Sequence, residues 1–169
     1  MKNLNWEFID ESNDKGRLPA DGYVIVINEA NDNPSREYVE LVYDIAEGPW
    51  KAHYSDDFGR NNPWAHHFFR SYKNSALNMF KTFLKRLEES NESFSIAEWQ
   101  KKSDEKDFVG LEIGIILQEE EYEANDGTVK TRLNVAKVVS ADTIRRRDFK
   151  PFEKKTLERT ADTFDFVPF

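Results

Sequence analysis

A single amphipathic helix pattern, placed between two groups of strand-like segments, most constrains the fold of this chain. Apolar residues recur at helical spacing within residues 74–90, and the residues between them are mostly polar. The apolar stripe consists of Leu77, Phe80, Phe83, Leu84 and Leu87. Asn74 or Ser75 is expected to cap this helix, and the capping-box spacing of Ser95 and Glu98 predicts a second, shorter helix. The long helix needs an apolar surface to cover, which the strands must supply.

Five segments have the alternation or the β-branched content of strands. Three precede the helix, at 22–30, 36–48 and 50–58, and two follow it, at 108–123 and 128–141. The last two are joined across an Asp-Gly turn. This order predicts a mainly β fold with α, a five-stranded barrel like that of oligonucleotide- and oligosaccharide-binding (OB) domains, with its helix between strands 3 and 4.

The chain has 169 residues, which suits a single domain. We expect a polar N-terminal lead-in at 1–20, an OB-like barrel at 21–145 and a C-terminal tail at 146–169. The absence of cysteine excludes disulfides and thiolate metal sites. No stretch approaches the roughly 20 apolar residues of a membrane span, and the first residues contain no apolar run. These features predict a cytoplasmic protein without a membrane partner.

The charge is negative overall but uneven along the chain. The net charge is −8, which alone argues against a nucleic-acid partner because phosphate binding requires positive charge. Four glutamates fall within residues 119–123, whereas cations gather in residues 70–73, 81–86 and 145–147. A local cationic surface is therefore compatible with the sequence, and the acidic 119–123 segment is expected to lie away from any bound phosphate.

Flat rings and cations occur together in the second and third predicted strands and in residues 59–73, which we expect to form a loop. Single-strand binding uses this combination, because bases stack on aromatic rings and phosphates pair with cations. The predicted nucleic-acid-binding residues are Tyr38, Trp50, Lys51, Tyr54, Trp64, Phe68, Arg70, Tyr72, Lys73, Lys130 and Arg132. We assign the neighbouring Tyr43 and Phe69 to the core.

Signals for catalysis are weak. The only histidines are His53, His66 and His67; a site combining His53 with one of the other two and with Asp56 or Asp57 would suit a metal-dependent nuclease. Residues 55–62 lack the spacing of a calcium loop, and the chain has no glycine-rich phosphate loop and no nucleophile elbow. We therefore predict no catalytic residues, no metal and no cofactor.

Two resemblances add to this reading. The segments "LPADGYVIVI", "EYVELVYDIAEG", "FFRSYKNSAL" and "FVGLEIGIILQEEEYEANDGTVKTRLNVAKVVSADTIRRRDF" resemble a family encoded by prophages and integrative elements of Gram-positive bacteria. Most of its members are uncharacterised, and some are described as single-stranded-DNA-binding proteins. The final "DTFDFVPF" is similar to the acidic tip of bacterial and phage single-stranded-DNA-binding proteins, although phenylalanines interrupt its acids.

The resemblances imply a role in phage or mobile-element DNA replication and recombination. The protein would coat single-stranded DNA without sequence specificity, and Asp162, Asp165, Pro168 and Phe169 would recruit a replication or recombination protein. Proteins of this kind often form homo-oligomers, but no interface pattern is evident in the sequence. The alternatives are a protein–protein adaptor of the same fold and, after it, the nuclease.

Overall fold

The computed structural model describes residues 17–55 and 63–157 of the chain. Five strands form one antiparallel sheet: β1 Gly22–Asn33, β2 Tyr38–Ile45, β3 His67–Ser71, β4 Glu112–Glu123 and β5 Val129–Val139. Their order across the sheet is β3-β2-β1-β4-β5. The mainly β class with helices is confirmed. Among the described residues, no helix combines the length and apolar character needed to cross a membrane.

β1 lies at the centre of the sheet and supplies much of its core. It pairs with β2 on one side, in register Ile25 with Ile45, and with β4 on the other, in register Ile25 with Ile113. Ile25 and Ile27 are completely buried. Their branched side chains suit a strand that is covered on its inner face, so this strand was predictable from sequence.

The long helix forms where the sequence predicts it. α1 Leu77–Ser90 follows a 3₁₀ turn at Asn74–Ala76, and it buries Phe80, Phe83, Leu84 and Leu87. The predicted caps Asn74 and Ser75 are wrong, because both residues are taken up in the 3₁₀ turn and α1 begins without a side-chain cap. The second helix, α2 Ile96–Trp99, is capped as predicted by Ser95, whose Oγ accepts from the amide of Glu98 at 3.4 Å. A third helix, α3, spans Ala141–Arg145.

The third strand is not where the sequence predicts it. Instead of a strand at 50–58, residues 49–52 form a turn and His53–Ser55 form a 3₁₀ turn, while 56–62 lie outside the described residues. The observed β3 lies in the segment expected to be a loop. The carboxylate of Asp44 fixes the 3₁₀ turn, since its Oδ1 accepts from the amide of Tyr54 at 2.9 Å and its Oδ2 accepts from the Ser55 hydroxyl. This interaction links distant residues, so alternation of side chains did not reveal it.

The sheet is not closed into a barrel. Within the described residues, β3 pairs only with β2, and β5 pairs only with β4. The carboxyl-terminal part of the described chain instead runs beside β4, where Lys155 exchanges main-chain hydrogen bonds with Glu119 and Glu121 at 2.8 and 2.9 Å. β3 and β5 therefore form the two edges of the sheet.

We predict that Phe83→Ala lowers the free energy of unfolding by about 3–5 kcal/mol. Phe83 is completely buried between the helix and the sheet, where it contacts the rings of Phe68, Phe80 and Phe108. Met79→Ala on the same helix is the matched control, because Met79 is 61% exposed; we expect its effect to stay within about 0.5 kcal/mol. Urea unfolding followed by circular dichroism measures both, and equal losses would contradict this packing.

Candidate nucleic-acid interface

A groove of about 1000 Å³ lies between the two edge strands. We call it the edge groove. Its walls come from β3, from the hairpin of β4 and β5, and from the turn that precedes β3. The lining residues used below are Arg17, Tyr54, Trp64, His67, Phe68, Phe69, Arg70, Glu120, Tyr122, Thr131, Arg132, Leu133, Asn134 and Lys155.

The edge of β3 directs main-chain polar groups away from the sheet. The amide of Tyr72 donates to the carbonyl of Glu37 at 2.9 Å, which sets the pairing of β3 with β2. Because bonded residues alternate in an antiparallel pair, Phe68 and Arg70 bond to β2. The amides and carbonyls of His67, Phe69 and Ser71 therefore face away from β2.

The edge of β5 is open in the same way. Lys155 occupies the main-chain groups of Glu119 and Glu121, so the alternate residues of β4 bond to β5. This pattern turns the main-chain groups of Thr131 and Leu133 outward. Arg17 uses one of them, because its Nη1 donates to the Thr131 carbonyl at 2.7 Å.

The edge groove is cationic although the chain is acidic. Among the residues that the structure describes, four cations, Arg17, Arg70, Arg132 and Lys155, line it together with one carboxylate, Glu120. A local excess of this kind raises the concentration of anions even when the net charge of the molecule is negative.

The acidic 119–123 segment is largely neutralised by neighbouring cations. Arg17 lies 3.7 Å from Glu119, Arg132 lies 3.5 Å from Glu120, and Lys154 lies 3.8 Å from Glu121. The side-chain amide of Asn134 also donates to Glu120. The hairpin therefore contributes cations to the groove as well as acids, and Tyr122 lies under Arg132 with the guanidinium carbon 5.0 Å from the ring centroid.

Two rings at the groove are open to solvent. Trp64 is 75% exposed, and its ring lies 5.2 Å from the ring of His67. Phe69 is 48% exposed, and its ring is perpendicular to that of Tyr38 with 5.2 Å between the two centroids. Exposed rings of this size provide faces on which a base can stack.

The structure brings together five of the predicted binding residues and separates the other six. Trp64, Arg70 and Arg132 line the edge groove, with Tyr54 and Phe68 at its base. Outside the groove lie Tyr38, Trp50, Lys51, Tyr72, Lys73 and Lys130. Three of these six have partners outside the groove. The rings of Trp50 and His53 pack with 5.3 Å between their centroids, and the Tyr38 hydroxyl accepts from the side-chain amide of Asn33 at 3.1 Å. The Tyr72 hydroxyl donates to Asp32 at 2.7 Å, which raises the pKa of Tyr72 to about 12.

Tyr54 and Phe68 are wrong as stacking surfaces, and Phe69 is wrong as a core residue. Tyr54 and Phe68 are each 5% exposed, so neither offers a free ring face. Successive residues of a strand point to opposite faces, and the unrecognised β3 places Phe68 inward and Phe69 outward. Tyr43, in contrast, is buried as predicted.

Sequence reasoning missed Arg17, His67, Tyr122 and Lys155 as lining residues. Arg17 and Lys155 come from opposite ends of the described chain, so no local pattern connects them to the groove. Tyr122 carried a usable signal, because it faces Lys130 across a predicted hairpin. Because the segment 119–123 contains four glutamates, we expected it to lie away from bound phosphate and did not select Tyr122.

The histidines do not converge on a metal site. No group of three or more His, Asp or Glu side chains suited to a metal occurs within the described ranges. His53 is buried against the rings of Trp50 and Tyr54, at 5.3 and 4.9 Å, and His66 stacks on Tyr54 at 4.7 Å. Asp56 and Asp57, the acids of the nuclease hypothesis, lie outside the described residues.

The tail residues Asp162, Asp165, Pro168 and Phe169 also lie outside the described residues, so their role stays a prediction.

Compared with known proteins, the chain matches no protein-family model and no curated protein.

We predict that Asp44→Ala destabilises the base of the groove. The change leaves the buried amide of Tyr54 without its acceptor, which costs about 1–3 kcal/mol of unfolding free energy. The control is Asp107→Ala, since Asp107 is exposed and its effect should lie within about 0.5 kcal/mol. Urea unfolding measures the stability, and near-ultraviolet circular dichroism reports the packing around Tyr54. A loss no larger than that of the control would contradict the anchoring role.

Proposed function

We propose that this chain binds single-stranded DNA in the edge groove, without sequence specificity and without catalysis. The observation that carries the proposal is the coincidence of four cations and two exposed rings in one groove of an acidic molecule. Its cellular setting would be the replication or recombination of phage or mobile-element DNA. The protein would act in the cytoplasm.

The electrostatics of the groove support a phosphate backbone as ligand. Arg17 and Arg132 lie at β5, Lys155 lies beside β4, and Arg70 stands on β3. Two of the arginines already balance nearby glutamates, so their pairing with phosphate would displace a weak, exposed ion pair. Ion pairs that exchange this readily would allow a bound strand to move along the groove.

The rings support an unpaired strand rather than a duplex. Trp64 and Phe69 present faces to the groove, and only an unstacked base can cover such a face. The histidines and acids are not assembled for metal-assisted cleavage within the described chain, which leaves the nuclease hypothesis without a structural argument.

The strand order supports an opened OB-like barrel as the finer fold. β1 lies between β2 and β4, and β4 and β5 form a long hairpin, with α1 between β3 and β4. Pairing of β3 with β5 would close such a barrel, and the groove occupies the position of that missing pair. The open edge then becomes the ligand site.

One observation favours the adaptor hypothesis as a second candidate. The outward main-chain groups of Phe69 and Leu133 could pair with an extended acidic peptide, which would add a strand to either edge. Strand addition does not require an exposed Trp64. The nucleic-acid proposal accounts for both the rings and the cations, so we favour it.

We predict that the full chain binds a labelled oligo-dT of about 16 nucleotides, with an affinity that falls steeply as salt rises. If all four cations contact phosphates, the slope of log affinity against log salt is about −3. Fluorescence anisotropy over a salt series measures it. Absence of binding at micromolar protein and low salt, or binding that salt does not weaken, would refute the proposal.

We predict that Trp64→Ala weakens this binding about 5- to 150-fold, the effect of losing one stacked base. The salt slope should not change, because no cation is removed. Met79→Ala is the matched control, because Met79 is likewise exposed and lies on α1 outside the groove. Competition by poly-glutamate as effective as that by unlabelled oligo-dT would favour the acidic-peptide ligand instead.

A further inference from the structure

Arg70 differs from the other arginines of the edge groove in its surroundings. Arg17 and Arg132 each lie within 4 Å of a glutamate. Arg70, by contrast, makes no ion pair with any residue in the described part of the chain. It is the groove arginine whose charge is not already balanced.

The guanidinium of Arg70 is held in place by its neighbours. Its carbon lies 5.1 Å from the centroid of the Phe68 ring, and its Nη1 donates to the carbonyl of Phe69 at 2.9 Å. Arg70 is half-buried at the groove wall, and burial lowers the pKa of its guanidinium below the ordinary value. One of its five N–H donors is thus engaged by the carbonyl, which leaves the remainder of a planar fork for a ligand.

A half-buried cation without a counter-ion is unfavourable for folding, because one hydrogen bond and one ring contact replace only part of the solvation that it loses. A planar fork of donors matches the geometry of two phosphate oxygens, whereas a lysine ammonium would act as a point charge. We propose that Arg70 is a preformed phosphate-binding site, which anchors one phosphodiester of the bound strand. This inference rests on the proposed function for the identity of the ligand, but the anion site can be tested without DNA.

The anion site is tested first with inorganic phosphate and no nucleic acid. We expect phosphate to raise the melting temperature of the full-length protein more than potassium chloride of equal ionic strength does. Arg70→Gln should lose the part of this difference that comes from binding at Arg70 and keep only the general stabilisation by phosphate. Lys85→Gln is the matched control, because it removes an exposed cation of α1 outside the groove and keeps Arg70, so it should retain the full response. An Arg70→Gln protein that responds to phosphate as strongly as Lys85→Gln would overturn the proposal.

The effect of the half-buried charge on stability is tested with Arg70→Met, which keeps an apolar stem over Phe68 and removes the guanidinium. We expect its melting temperature without phosphate to equal or exceed that of the unmodified protein. A clear decrease in the melting temperature would show that the guanidinium stabilises the fold through its contacts with Phe68 and Phe69. The proposal that Arg70 carries an unbalanced charge would then be refuted.

The link to DNA is tested by anisotropy with the same oligo-dT. Arg70→Gln should weaken binding about tenfold or more and make the salt slope about 0.7 less steep, the contribution of one phosphate contact. Arg70→Lys should restore the slope but only part of the affinity. If neither the unmodified protein nor any variant binds DNA, the proposed function fails while the phosphate result still decides the anion site. If DNA binds but Arg70→Gln binds it as tightly as Lys85→Gln does, only this inference fails.

Discussion

The missing pairing between β3 and β5 is the constraint on which the candidate site depends. Strands that close a barrel satisfy each other's main-chain groups, whereas here two edges face a common groove. Further pairing at each edge is limited but not blocked, since β3 is only five residues long and Arg17 covers one carbonyl of β5. The same features that limit this pairing supply rings and cations of the groove.

The charge distribution resolves the conflict between an acidic chain and a polyanionic ligand. The glutamates of residues 119–121 are held close to arginines and a lysine, so their fields are largely cancelled near the groove. Arg70 lies on the opposite wall without such a partner among the described residues. A net charge of −8 therefore coexists with a local cationic surface, because the fold pairs the glutamates of residues 119–121 with cations and brings four cations to one groove.

Much of the fold was predictable because its signals are local. The stripe of α1, the branched residues of β1 and the Asp-Gly turn between β4 and β5 each depend on residues close in sequence. β3 was not, because a strand of five residues with aromatic side chains on both faces has no clear alternation. The displacement of residues 50–55 into turns depends on Asp44, whose partners lie 10 and 11 residues away. These errors also affect the predicted site. Once β3 is placed correctly, Phe68 is a buried residue and Phe69 is the exposed ring, the reverse of the prediction.

The sequence by itself determined the class of the fold, the order of strands around one helix, and the association of rings with cations in the segment around Trp64 and Arg70, because these follow from periodicity and composition within short windows. Only the tertiary structure decided which rings are open, which cations are already paired, and that Arg17, Arg70, Arg132 and Lys155 share one groove. Burial and electrostatic pairing are properties of distance in space. Residues separated by more than a hundred positions, such as Arg17 and Thr131, meet only after the sheet has formed.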